Sequence, residues 1–417
     1  MSYNNGAIET EYIDPVSFTT SRCAFELNPT RLGILPNMRL LDLGVTNDTG
    51  VSAYARGLGA AALIKNIRLL DGRTELSCLR NVAPYIQFKN MNRSNDINKS
   101  NDSYIKRSRV GFEVNGLDNN VQHLYDTGSS TTVADGNTAT AYLDLRELLA
   151  ILNVVPVLPT SVFKNLRLEV EFNTNNTTAQ IVSNNNYATA ALRPVLAYDY
   201  VSDPRILAPL TERLENGVQW SEIEWDNYVV PEVTLGGDTE SVQTTSNQSL
   251  GFIDKRVGRL VVIKTLANPA LEVTAGTNLV QGFGGVASSQ AVRQQTLQVR
   301  LNGKNVFPGA NGVNKPNEML GVVVDAYGDM QAYPGSNLYQ WDDNTRLVTP
   351  AELGGQSAYA ACAVNARVAD LQMVLQRTNN QDTSPKSATN DALQINLYAE
   401  IAKVITFASD SYSVMYM

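Results

Sequence analysis

The residues from Ala197 to Glu232, AYDYVSDPRILAPLTERLENGVQWSEIEWDNYVVPE, constrain this chain more than any other stretch. They read as a strand, a short capped helix and a new strand, placed almost at the midpoint of 417 residues. Asp203-Pro204 starts a turn. Pro209 suits the first position of a helix running to Glu215, because the N–H missing from proline has no partner there in any case. Asn216-Gly217 then ends it, glycine being the usual left-handed cap. On both sides lie β-rich halves of similar length with Asn, Thr, Ser and Gly loops. Such a junction predicts two β-sandwiches in tandem, a building block rather than an enzyme.

The strands announce themselves by period two. Leu166, Leu168, Val170 and Phe172 alternate with Arg167, Glu169 and Glu171. Leu297, Val299 and Leu301 alternate with Gln298 and Arg300. Leu371, Met373 and Leu375 repeat the pattern, and Leu393, Ile395, Leu397, Ala399 and Ile401 extend it. Successive side chains on a strand face opposite ways, so each run has one buried and one wetter face, the antiparallel pattern. One further helix is expected where Leu145, Leu148, Leu149 and Leu152 form a stripe, with Asp144 as cap and Glu147 three residues on. Residues 1–20 read as an extended arm, with strand signals beginning at Cys23. Long polar loops are expected at 90–102, 127–140, 173–186, 236–249, 274–290 and 378–391. No clear internal repeat is visible.

Composition narrows the partners. Charged residues make up 18% and the net charge is -8, so neutral amides and hydroxyls fill the polar positions. Neutral groups are cheaper to desolvate than charges, which suits broad protein–protein contacts. Phosphate binding needs clustered Lys and Arg. The best such cluster is Lys106, Arg107 and Arg109, better read as a solvated loop or strand edge, so direct nucleic-acid binding is not expected. Cys23, Cys78 and Cys362 are odd in number and far apart, and read as free thiols in a reducing compartment. The first residues show no signal peptide, and no apolar run reaches the ~18 residues of a membrane span. A soluble, unexported protein is expected.

Chemistry has few footholds. The single histidine, His123, lies in a loop-like region with no nucleophile motif. Asp342, Asp343 and Asn344, or Asp325 and Asp329, offer oxygen ligands at close spacing, although no EF-hand loop is present. Glu222, Glu224 and Asp226 would share one face of a strand, either as a carboxylate pair for glycoside chemistry or, the plainer reading, as its solvent side opposite Ile223 and Trp225. Gly57-Leu58-Gly59 and Gly282–Gly285 lack phosphate-loop spacing. Tyr412 and Tyr416 read as a sugar platform or, more simply, as packing. The sequons at Asn47, Asn98 and Asn247 are what an Asn-rich chain yields by chance. No catalytic residue, cofactor or metal is assigned.

Three stretches together resemble the double jelly-roll major capsid proteins of double-stranded DNA viruses, in particular the lineage of large eukaryotic DNA viruses and virophages. They are LRPVLAYDYVSDPRILAPLTERL with IEWDNYVV at the junction, LQVRLNGKNVFPGANGVNK at Leu297–Lys315, and ALQINLYAEIAKVITFASDSYSVMYM at the end. VLPTSVFKNLRLEVEF, Val157–Phe172, is a weaker fourth match. The resemblance implies an all-β fold of two tandem eight-stranded antiparallel jelly rolls with few short helices. The division would be an arm at 1–20, a first jelly roll at 21–202, a linker helix at 203–217 and a second jelly roll at 218–417. It also implies a homotrimer forming pseudo-hexagonal capsomers of an icosahedral shell. Neighbouring capsomers, minor and penton proteins and an internal membrane on the inner face would be the partners, and the virion the location. The alternatives are a carbohydrate-binding or carbohydrate-cleaving β-sandwich, such as a fibre or spike, and a minor or penton-like capsid component.

Overall fold

Period-two alternation places the long strands where hydrophobic burial can reward them. Leu166–Phe172 buries Leu166, Leu168, Val170 and Phe172 and leaves Arg167, Glu169 and Glu171 half-buried. The computed structural model describes residues 7–46, 52–55, 63–91, 112–114, 121–122, 130–133, 138–173, 181–183, 193–230, 233–234, 241–248, 253–266, 295–310, 312, 326, 359–378, 389–390, 393–408 and 411–417. Lys106, Arg107, Arg109, His123, Asp325, Asp329, Asp342, Asp343, Asn344, Gly57–Gly59, Gly282–Gly285, Asn47 and Asn98 lie outside them.

The first half carries β1 (Ile8–Ile13), β2 (Arg22–Glu26), β3 (Arg39–Thr46), β4 (Ile64–Asp71), β5 (Thr74–Arg80), β6 (Thr138–Asp144), β7 (Leu166–Phe172) and β8 (Val195–Val201). The second carries β9 (Val218–Val230), β10 (Ser241–Gln248), β11 (Arg256–Leu266), β12 (Gln295–Leu301), β13 (Lys304–Asn305), β14 (Tyr359–Arg367), β15 (Leu371–Thr378) and β16 (Leu393–Ala408), followed by β17 (Ser411–Tyr416). Their pairings are antiparallel. In the first half the sheets run β1–β8–β3–β6 and β2–β7–β4–β5. In the second they run β9–β16–β11–β14 and β10–β15–β12–β13. Adding eight to each label of the first half yields the order of the second, so the chain folds twice into the same eight-stranded jelly roll. β17 lies outside this repeat, paired with the end of β16. Short strands widen the rims, among them Ser52–Ala55 with Ser130–Val133 and Ile181–Ser183.

Several expectations change. Within residues 1–20, expected to be an extended arm, Ile8–Ile13 form β1, which pairs with β8 from Ile8↔Val201 to Ile13↔Leu196. Glutamates at alternate positions hide this strand in the sequence, because Glu9 and Glu11 accept the hydroxyls of Tyr200 and Tyr198. The leucine stripe forms two 3-10 turns, Leu145–Glu147 and Ala150–Asn153, rather than an α-helix. Asp144 caps the first turn, but Leu149 is extended and interrupts the helix while all four leucines stay buried. The junction helix, α2 (Pro204–Glu212), starts five residues before the expected Pro209, because Asp203 accepts from the Arg205 N–H and Pro204 takes the first turn. Gly217 closes the connection at φ 76°. A helix went unrecognised at α1 (Val82–Met91), where Val82, Ala83 and Ile86 enter the core. Strands Ser130–Val133, Ile181–Ser183 and β10 lie inside stretches expected to be loops. β10 is a run of polar residues held by backbone pairing with β15 over eight positions rather than by apolar alternation.

Two cores result. One belongs to the second barrel, between Val257, Val299, Leu371, Leu397 and Ile401. The other fills the first barrel and continues across to Trp220, Val261, Ile263, Tyr398 and Ile405 of the second. No helix among the described residues is long and apolar enough to cross a membrane.

Candidate functional site: a capped sheet edge between the barrels

Among the described residues β5 ends its sheet, and an edge strand leaves backbone N–H and C=O groups that need partners. The second barrel supplies them with side chains. Lys403 Nζ donates to the carbonyls of Glu75 at 3.1 Å and Leu76 at 3.0 Å. Glu222 Oε1 accepts from the Cys78 N–H at 2.8 Å and the Ser77 hydroxyl at 3.0 Å, and Oε2 accepts from the Trp220 indole. Glu222 is 1% exposed and Lys403 2%. Strand register brings the group together: Trp220 stands opposite Lys403, and Glu222 lies two residues along β9 on the same face. The ammonium sits 5.7 Å from the Trp220 ring centroid and 5.2 Å from that of Tyr416, within cation–π range. Burial raises the Glu222 carboxyl above its ordinary value, against the pull of Lys403 and the three hydrogen bonds.

The seam continues beyond this charged centre. Asn81, in the left-handed region at φ 49°, accepts from the Tyr398 hydroxyl through its carbonyl at 2.7 Å. Its amide donates to Asn396 Oδ1 at 2.9 Å, which also accepts from Trp225 Nε1 at 3.1 Å. Tyr85 packs its ring 5.2 Å from Tyr398. At the other end the Tyr412 hydroxyl donates to Asp71 Oδ2 at 2.8 Å, and its ring lies 4.8 Å from Phe163.

The carboxylate trio of the sequence reading is thus corrected at its first member. Glu222 does not lie on a solvent side, because β5 of the first barrel covers that end of the face. Glu224 is held by Lys255 through both oxygens at 3.0 Å, and Asp226 accepts from the neighbouring Asn227 N–H. A carboxylate as enclosed as Glu222 has no route to a sugar. Tyr412 is a packing residue of the seam, and Tyr416 stacks over Lys255 at 4.0 Å. All three cysteines are free and buried, and burial pushes the Cys23 and Cys362 thiols up to about 12 and Cys78 higher still. Thiols held protonated in this way are poor nucleophiles. No three His, Cys, Asp or Glu side chains among the described residues could hold a metal ion.

A depression of about 420 Å³ on the β2–β7–β4–β5 sheet is lined by Arg22, Arg68, Arg80, Arg167, Glu169 and Glu171. Its charges are largely matched within the sheet, Arg68 to Glu169 at 2.6 Å and Lys65 to Glu171 at 2.9 Å. Sequence reasoning missed Lys403, Ser77, Asn81 and Asn396. One signal was available: Lys403 interrupts the otherwise apolar face of β16 between Ile401 and Ile405, where an unpaired charge would be costly.

No protein-family model and no curated protein matches the sequence. Solved structures do match. One is PBCV-1 VP54, in a crystal structure fitted into a cryo-EM reconstruction of the virophage Sputnik. It matches at TM-score 0.59 and 12% identity, over 100% of this chain and 99% of that one. A 3.5 Å cryo-EM structure of the Sputnik virophage matches at 0.54 and 10%, over 100% and 91%. The mavirus major capsid protein matches at 0.53 and 9%, over 100% and 91%. The chain therefore shares the double jelly-roll fold along its whole length.

Proposed function

We propose that this chain is a structural major capsid protein of an icosahedral double-stranded DNA virus and that its mechanism is self-assembly. The observation that carries the reading is the extent of the shared fold: both barrels and their connection align with the mavirus major capsid protein over 100% of this chain and 91% of that one. The chain is read as a first barrel ending at Ser202, a connecting segment at 203–217 and a second barrel at 218–417. The end of β8 at Val201, helix α2 and the start of β9 at Val218 support that division.

Three copies, each contributing two barrels, would give a six-cornered capsomer. Head-to-tail contacts that close into a ring limit their own growth. Burial of apolar area drives such association at about 25 cal/mol per Å² before entropy costs. The neutral polar surface suits contacts with neighbouring capsomers, with minor and penton proteins and with an internal membrane on the inner face. A net charge of -8 argues against direct packing on nucleic acid. The location is the virion. Light scattering on the purified chain at micromolar concentration tests the proposal. A mass of three 45.5 kDa chains is expected, and a monomer alone would overturn it.

A further inference from the structure

We infer that β17 is a clasp, separable from the second barrel, that holds the two barrels together. It concerns a single chain and stands whatever the assembly state.

By its backbone β17 belongs to the second barrel. It pairs with β16 from Ala408↔Ser411 to Lys403↔Tyr416, and Met417 bonds onward to Ala402 and to the Arg256 N–H. It therefore continues the line of β11, which pairs with β16 only as far as Ile401. The repeated order does not include it, since β9, β16, β11 and β14 pair as β1, β8, β3 and β6 do in the first half.

By its side chains β17 belongs to the seam. Alternation sends Tyr412, Val414 and Tyr416 to one face and Ser411, Ser413 and Met415 to the other. Tyr412 and Val414 pack against the core that fills the first barrel and crosses into the second. Tyr412 also bonds Asp71, the last residue of β4 before the turn into β5, and with Phe407 it encloses Phe163, their ring centroids lying 4.8 and 5.9 Å from that of Phe163. Tyr416 lies over Lys255 and close to Lys403, the ammonium that caps the β5 carbonyls. One face of one short strand thus touches the end of β4, the core shared by the barrels and the cation that holds β5. Removing those side chains opens water's path to Lys403 and Phe163 and leaves the ladder of the second barrel untouched.

Hydrogen–deuterium exchange on the full chain carrying Tyr412→Ala and Tyr416→Ala tests this. Amides at 76–81, including the Cys78 N–H held by Glu222, should exchange about tenfold faster, while those of Leu260–Val262 and Ile395–Ala399 keep their rates. Unchanged exchange at 76–81 overturns the inference. So does loss of protection at Ile395–Ala399 in the same variant, since β17 would then be an inseparable part of the barrel. Tyr412→Phe, which keeps the ring and removes only the hydroxyl with its bonds to Asp71 and Thr74, tests the claim without a packing defect. A rise of about threefold confined to 71–81 is expected, and none counts against the clasp.

Discussion

Among the described residues the fifth strand of each barrel ends its sheet, and side chains hold the backbone at or just beyond that strand in different ways. In the first, β5 is capped from outside by Lys403 and Glu222 of the other barrel. In the second, the backbone following β13 is capped from within. Gln298, 0% exposed on β12, accepts from the Phe307 N–H at 3.0 Å and donates to the carbonyls of Phe307 at 3.1 Å and Gly309 at 2.8 Å. A neutral amide can close its own sheet at modest desolvation cost. A buried charge is tolerated only where its partners are in place. The neutral cap leaves the second barrel self-sufficient. The charged cap favours the one docking in which β5 presents two carbonyls, an N–H and a hydroxyl to the other barrel.

The turns beside these edges repeat the lesson. Asp71 is the last residue of β4 before the two-residue connection Gly72-Arg73, with Gly72 at φ 57°, whereas Asn302 opens the two-residue connection Asn302-Gly303, at φ 49° and 77°. Each side chain bonds the residue entering the seventh strand of its barrel, Asp71 to the Asn165 N–H and Asn302 to the Asp370 N–H. They differ in what remains. The second oxygen of Asp71 takes Tyr412 of the other barrel, whereas the Asn302 amide donates to Arg367 in its own.

The sharpest way to break this contrast is Lys403→Met. It leaves two carbonyls bare and Glu222 without its cation, and a loss of about 3–5 kcal/mol is expected in chemical denaturation. Adding Glu222→Leu should recover part of that loss, because an apolar pair replaces a buried charge. A cost below about 1 kcal/mol for Lys403→Met would remove the edge-cap account. Gln298→Leu should cost about 2 kcal/mol, with hydrogen exchange accelerated at Val306–Phe307 and unchanged at 76–81. A response at 76–81 would show that the second edge is not self-contained.

Acid titration separates two carboxylates, the buried Glu222 and the half-buried Glu11, with opposite signs. Glu222 is raised above 4.5, so the folded state keeps a proton that the unfolded chain gives up. Stability should therefore fall as pH rises from 4.5 through its raised value, and Glu222→Gln should flatten that limb. Glu11 behaves oppositely. Burial pushes it up, but the hydrogen bonds from Arg31, Tyr198 and Asn28 outweigh this and hold it below 4.5. Its contribution is present above 4.5 and lost as pH falls through its lowered value, and Glu11→Gln should flatten that acid limb. Interchanged limbs would refute both assignments. The smallest effect belongs to the turns. Asn302→Ala should cost about 1–2 kcal/mol, through lost bonds and a left-handed alanine. Asn302→Gly should recover the backbone share, and equal losses for the two would remove the conformational argument.

The sequence by itself determined the tandem arrangement. Alternation at Leu166–Phe172 and Leu393–Ile401, Asn-Gly after Leu301 and the capped junction at Asp203 are local signals, because strand pleat, turn dihedrals and helix capping act over a few residues. Tertiary structure alone decided that the order of one barrel repeats in the other, that β1 and the polar β10 are strands, and that Glu222 is enclosed rather than wet. An edge strand is held by its neighbour's backbone, and a buried charge by groups more than a hundred residues away. Neither leaves a periodic trace near its own position, apart from one lysine on the apolar face of β16.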